Sequence, residues 1–276
     1  YVEDIPSNQI DNWAKIQADR FENNVIRGFH TELETVYEEK NMSLTSDGRK
    51  VYEAVLTALF PDHPYGTQTV LGTQENLKNP SITNIKNYHK TWYVPNNMAI
   101  CLSGDFDPDQ MIETINKYFG HLKPNPNLPK LPVTHESPIK APVIKEVLGV
   151  DAENVTLGWR FPGAASPDQD FTVGFSQVGA ESDWRTANNG KAGLLDIDLV
   201  QQQKVLSCYA GTYGMSDYNA FVISGRPKQG QTLDEVKDLF LAEIDKLKKG
   251  EFDEGLLEAA INNYKLMQMY RMDRND

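Results

Sequence analysis

Glu32 and Glu39 stand seven residues apart in the stretch T-E-L-E-T-V-Y-E-E-K-N, Thr31 to Asn41. Seven residues is close to two turns of α-helix, so a helix here sets both carboxylates on one face, one above the other. Val36 lies between them on the same side. Thr31 and Glu34 have capping-box spacing, which predicts a helix starting at Thr31. Stacked acids suit a metal site, where one carboxylate coordinates and a second orients the ligand set. The same spacing also fits a solvated Glu-rich face made with Glu34, Glu38 and Lys40, and spacing alone leaves both readings open.

The flanking segments supply the frame. A helix is expected over Gln9 to Phe21, with Ile10, Trp13, Ala14, Gln17 and Phe21 inward. Asp47 is placed to cap a further helix carrying Val51, Val55 and Leu59. The stretch Pro61-Asp62-His63-Pro64-Tyr65-Gly66 reads as a turn-rich loop. A helix over Ser81 to Trp92 turns Ile85, Tyr88 and Trp92 inward, and Met98 to Leu102 alternates as a strand. Asp107, Pro108 and Gly120 then give the start and stop signals of another helix.

Six prolines fall between Lys123 and Pro142, which favours extended backbone and excludes a long helix. This stretch is read as a linker, 123–142, between a first domain, 1–122, and a second, 143–276. The second domain opens with a candidate strand over Val143 to Val150. Period-two alternation at Val155, Leu157, Trp159 and Phe161 predicts the next. Strands follow near Ser207 to Tyr213 and Tyr218 to Ser224. Thr232 and Glu235 form a capping box for a helix with Val236, Leu239, Phe240 and Leu247 inward, closed by Gly250. A last amphipathic helix begins near Asp253. Residues 168–192 have weak helical period and extra glycines.

The halves share a pattern. N-M-A-I-C-L-S-G ends at Gly104 and N-A-F-V-I-S-G ends at Gly225, with Ala99 matching Ala220 and Ser103 matching Ser224. Each leads into a capped amphipathic helix, which favours duplication of a strand–helix unit.

These segments carry a resemblance. Y-V-E-D-I-P-S at the start, A-D-R-F at 18–21, H-P-Y-G at 63–66, L-G-T at 71–73, Y-V-P-N-N-M at 93–98 and S-G-D-F-D-P at 103–108 come in the order of the pitrilysin/insulinase zinc metallopeptidases of bacterial type, the inverzincins. The resemblance implies an α+β fold of two homologous domains, of the mitochondrial-processing-peptidase-like metallohydrolase type, the first carrying zinc and the second non-catalytic. It makes Glu39 a zinc ligand and Glu32 the supporting acid. The H-x-x-E-H segment, which supplies two histidine ligands and the general base, is missing. The histidines His30, His63, His89, His121 and His135 have no ligand spacing on a helix. The chain therefore reads as a fragment, truncated at both ends, and is expected to bind no zinc and to be inactive alone. The full-length parent is expected to be a zinc endopeptidase. It would hydrolyse unfolded, extended peptides in a closed chamber completed by the missing half or a partner subunit. Two other classes stay in view: a non-catalytic scaffold of the same fold, and a plain α+β peptide-binding module without metal.

Composition sets further bounds. A net charge of −12 argues against nucleic acid and anionic membrane surfaces as partners. No apolar run approaches the ~20 residues that span a bilayer. The sequence leaves the compartment unknown, with periplasm or cell envelope as a working guess. Cys101, in an expected strand, and Cys208, at the start of another, read as small buried hydrophobes rather than a pair. His63 reads as a structural turn histidine and His30 as a solvated loop residue. Tyr88 and Tyr93 read as packing, as do Met267, Met269 and Met272; Gly211 and Gly214 read as a strand ending.

Overall fold

The computed structural model describes residues 1–163 and 193–272. In chain order its helices are α1 (Ile10–Glu22), α2 (Phe29–Thr45), α3 (Asp47–Leu59), α4 (Pro64–Thr67), α5 (Gln74–Lys78), α6 (Ile82–Trp92) and α7 (Pro108–Phe119). Strand β1 (Val155–Pro162), a π-helical turn (Asp196–Val200), and strands β2 (Ser207–Gly214) and β3 (Tyr218–Arg226) follow. Helices α8 (Leu233–Lys249) and α9 (Glu254–Met272) close the order. The fold is α+β. The residues fall into two compact units, one of Tyr1–Ser43 with Val70–Val133, the other of Leu44–Thr69 with Thr134–Asp273.

In the first unit α1 buries Ala14, Gln17 and Ala18. It is tied to α7 by Asp11, whose carboxylate meets Lys117 Nζ at 2.9 Å and accepts from the Tyr118 hydroxyl at 2.6 Å. Helices α6 and α7 start where their caps predict. The Ser81 hydroxyl accepts from the Asn84 N–H, and the Asp107 carboxylate from the Gln110 N–H, with Pro108 at the first helical position. Two expectations fail here. Tyr88 is exposed on α6. Met98 to Leu102 forms no strand, and Ala99, Ile100 and Cys101 are exposed. A strand needs a neighbour for its N–H and C=O groups, and among the described residues none pairs with this segment. The repeat is thus expressed in the two capped helices and not in two equivalent strands.

The second unit is built on an antiparallel sheet of order β1-β3-β2. Leu157 stands opposite Ile223, and Ala210 opposite Ile223 on the other side. Helix α8, opened by the Thr232/Glu235 capping box and closed by Gly250 in the left-handed region (φ 69), lays Val236 and Phe240 on this sheet. Leu195, Leu199, Val205 and Ala210 complete the core. Gly225 admits the Phe240 ring: a Cβ there would lie 2.5 Å from Phe240 Cζ.

Residues 44–69 belong to this second unit, although the 1–122 boundary assigns them to the first domain. Helix α3 packs on β1, where Val55 and Leu59 crowd Gly158. Leu59 and Phe60 bury with Ala220. In the 123–142 stretch the division between the units falls at Val133. The strand expected over Val143 to Val150 is absent. Asp47 Oδ2 instead accepts from the N–H groups of Val150 and Asp151 at 2.6 and 2.8 Å. Asp47 is the first residue of α3 and not its cap; the Ser46 hydroxyl fills that place. On α9, Met267, Met269 and Met272 are exposed rather than packed. Residues 168–192 lie outside the described residues.

Candidate metal centre

Helix α2 carries the acid pair as its spacing requires, but it begins earlier than Thr31. The Glu32 N–H already bonds to the Gly28 carbonyl, and Gly28 takes φ 62, so helical bonding is set before Thr31 is reached. Thr31 is interior, and its carbonyl accepts from the Thr35 hydroxyl. Glu32, Glu34, Glu38 and Glu39 are exposed, Val36 is half-buried, and Lys40 is buried. The helix thus presents its carboxylates to solvent while withdrawing the cation expected to accompany them.

Seven residues advance a helix by roughly 10 Å, at about 1.5 Å per residue. Side chains on a helix lean toward its N-terminus, so Glu39 projects back over the turn that carries Val36. Two acids on one helix do not make a tetrahedral zinc site, which needs at least three protein ligands. Among the described residues no group of three or more His, Cys, Asp or Glu is placed to hold a metal ion. The residues present therefore do not fit zinc by themselves, and α2 offers at most one ligand.

The remaining histidines are placed elsewhere. His30 is exposed. His63 is buried and structural: its Nδ1 accepts from the Tyr65 N–H at 3.2 Å, which leaves Nε2–H to meet Asp217 Oδ2 at 3.2 Å. Around it lies a polar network that sequence reading passed over. Glu136 Oε1 accepts from the N–H groups of Asp62 and His63, and Oε2 pairs with Arg160 Nη1 at 3.2 Å. Arg160 also donates to the carbonyls of Leu59 and Ser137. The signals were an Arg within the Trp159–Phe161 strand alternation and a Glu among prolines. Cys101 is exposed, against expectation, because its segment has no sheet to enter. Cys208 is half-buried and donates to the Leu195 carbonyl; burial, reinforced by the charges of Asp196 and Glu243, pushes its thiol up to about 11. Cys208 is therefore not a reactive thiolate site.

The family model described as the peptidase M16 inactive domain matches residues 81–264, well over half of the chain. The chain belongs to the peptidase M16 family. Within this family, pitrilysin/insulinase-like as the motifs indicate, zinc protease PqqE of Helicobacter pylori is 25% identical over 228 residues, or 78% of this chain and 47% of PqqE. A zinc protease of Mycobacterium leprae is 32% identical over 89 residues, 32% of this chain and 20% of its own length. The chain spans less than half the length of these M16 relatives. In fold it matches a protease from H. pylori with a TM-score of 0.78 at 21% identity, covering 98% of this chain and 65% of that one. It matches the periplasmic protease PqqL from Escherichia coli with a TM-score of 0.69 at 13% identity, covering 99% and 30%. The M16 match begins at the cap of α6 and takes in the sheet and α8. Glu32 and Glu39 lie before it. No helix among the described residues is long and apolar enough to cross a membrane.

Proposed function

We propose that this chain is part of a zinc-dependent metalloendopeptidase and that Glu39 is its one contribution to the metal. Glu32 acts as the supporting acid, and the region matched by the M16 model serves as the non-catalytic partner domain. The observation that carries this reading is the pair of exposed, in-register carboxylates on α2, in a chain whose PqqE relative is a zinc protease. Zinc in the parent would supply a Lewis acid and an activated water, with the remaining ligands and the base coming from outside these residues. The chain by itself has no peptidase activity. Substrates are extended peptides enclosed by this chain and its missing half or a partner subunit. The compartment is the periplasm or cell envelope, as the name of the PqqL relative suggests.

The test uses the full-length parent. Glu39→Gln keeps size and removes the anionic charge, so zinc content and peptide hydrolysis both fall sharply. Glu32→Gln costs roughly 10–100-fold, as changes behind a ligand do. Glu34→Gln, on another face of α2, changes little. Normal zinc and turnover in Glu39→Gln would sink the assignment. A second reading is a scaffold of the same fold that binds peptides or proteins without metal. The match of residues 81–264 to a model described as the peptidase M16 inactive domain supports it. A full-length parent that holds no zinc and hydrolyses no peptide, with or without the three substitutions, would establish it.

A further inference from the structure

Glu243 lies in the middle of α8 and is 3% exposed. Its Oε1 takes Lys246 Nζ at 2.8 Å, and the same Nζ reaches Asp198 Oδ2 on the π-helical turn at 2.6 Å. Glu243 Oε2 is fully buried, and among the described residues no donor reaches it. The Asp198 and Glu243 carboxylates meet at the same ammonium, so one cation serves two anions, with Glu243 buried and Asp198 and Lys246 partly exposed. An ionised Oε2 would be a buried acceptor without a partner, which is costly. A proton on it removes the unpartnered charge from the buried oxygen.

We infer that Asp198 and Glu243 share one proton beside Lys246, and that this proton fastens α8 to the π-helical turn. The groups bearing on the pair are Lys246 from α8, Lys204 just beyond the turn, and Cys208 from β2, on which Asp196 of the turn also acts. Strands β1 and β3 meet the core beside α8 through apolar residues, among them Leu157, Trp159 and Ile223. The balance of these groups is consistent with a shared proton. Burial pushes the Glu243 carboxyl above the ordinary range, Lys246 pulls the other way, and the charge of Asp198 adds to the rise. Burial works against ionised Asp198 as well, but Lys246 and the Glu243 hydrogen bond outweigh it and hold Asp198 below its ordinary range.

The sign follows. Glu243 binds its proton more tightly when folded, so stability falls as pH rises from the unfolded glutamate value near 4.5 through the folded one. Each unit between the two is a tenfold loss in the folding constant by the alkaline plateau. Asp198 has the opposite sign: its contribution is lost as pH falls through its depressed value.

The experiment is a carbon-detected NMR titration of side-chain carboxyls on the full chain, with urea unfolding between about pH 5 and about pH 9. Glu243 should titrate well above the exposed glutamates. Glu243→Gln, which mimics the protonated acid, should remove that resonance and flatten the alkaline fall of the urea midpoint. Asp198→Asn gives Lys246 a single carboxylate, so Glu243 should ionise at lower pH. A Glu243 resonance titrating with the exposed glutamates overturns the inference, as does an alkaline slope unchanged by Glu243→Gln. The first readout uses the unsubstituted chain and stands even if a variant fails to fold.

Discussion

The segments 97–104 and 219–225 share an apolar run that ends in Ser-Gly, yet they meet different fates. In the second unit Ala220 to Gly225 lies in the central strand, hydrogen-bonded on both sides, with Ile223 at 0% exposure. In the first, Ala99 to Gly104 has no ladder partner among the described residues, and Ile100 is 42% exposed. The helices that follow, α7 and α8, both form and are both capped. The contrast separates two kinds of information. A helix closes its hydrogen bonds within its own segment and needs only a cap and an apolar stripe. A strand borrows its partners from elsewhere, so alternation states a capacity that only a neighbour realises.

The largest effect expected from this contrast lies in the clamp found in the second unit. Arg160 and Glu136 have side chains 9% and 1% exposed. Arg160→Met strands a buried carboxylate and two carbonyls and should destabilise the unit by about 3–5 kcal/mol, read from urea unfolding followed by Trp159 fluorescence. A loss below about 1 kcal/mol would mean that water reaches the pair. Next comes the strand comparison itself. Ile223→Ala should cost about 2–5 kcal/mol and Ile100→Ala within about 0.5 kcal/mol of nothing, measured by the same unfolding. Equal losses would show that Ile100 is buried in solution and would break the comparison. Smaller effects belong to the shared helices. Thr232→Ala and Asp107→Ala should each cost about 1 kcal/mol, since the caps act locally in both units. The smallest is a change of pH profile. Lys50 and the N–H groups of Asp151 and Val150 hold the Asp47 carboxyl below the usual range, against some burial. Its contribution is present above the unfolded aspartate value and is lost as pH falls through the folded one. Asp47→Asn should therefore flatten the acid limb of a thermal-stability profile and leave the alkaline limb as it is.

What could be read beforehand follows the same division. Ser81, Asp107, Pro108, the Thr232/Glu235 box and Gly250 each act on their own helix, and each stands where its type and position indicated. The alternation at Val155 to Phe161 was legible because β1 finds β3. Met98 to Leu102 and Val143 to Val150 also read as candidate strands, and local pattern holds no record of whether a partner exists. The register of Glu32 and Glu39 was visible in their spacing. The coordinating set that Glu39 would join was not, because metal ligands converge from distant segments. The contacts of Glu136 and Glu243 are non-local in the same sense: a buried glutamate in sequence looks like any other.

The Glu136 clamp also bears on chain length. Its carboxylate holds N–H groups 74 and 73 residues earlier, at Asp62 and His63. From the standpoint of the second unit, everything between Thr69 and Thr134 is one excursion that leaves and returns to the same body. The entropy of closing such a loop grows only with the logarithm of its length, about 0.6 kcal/mol per doubling. Inserting or deleting a few residues in the excursion would shift that closure term by a small fraction of this. The second unit is thus insulated from length variation in 70–133, which leaves that stretch free to be remodelled while the sheet and its clamp stay as they are.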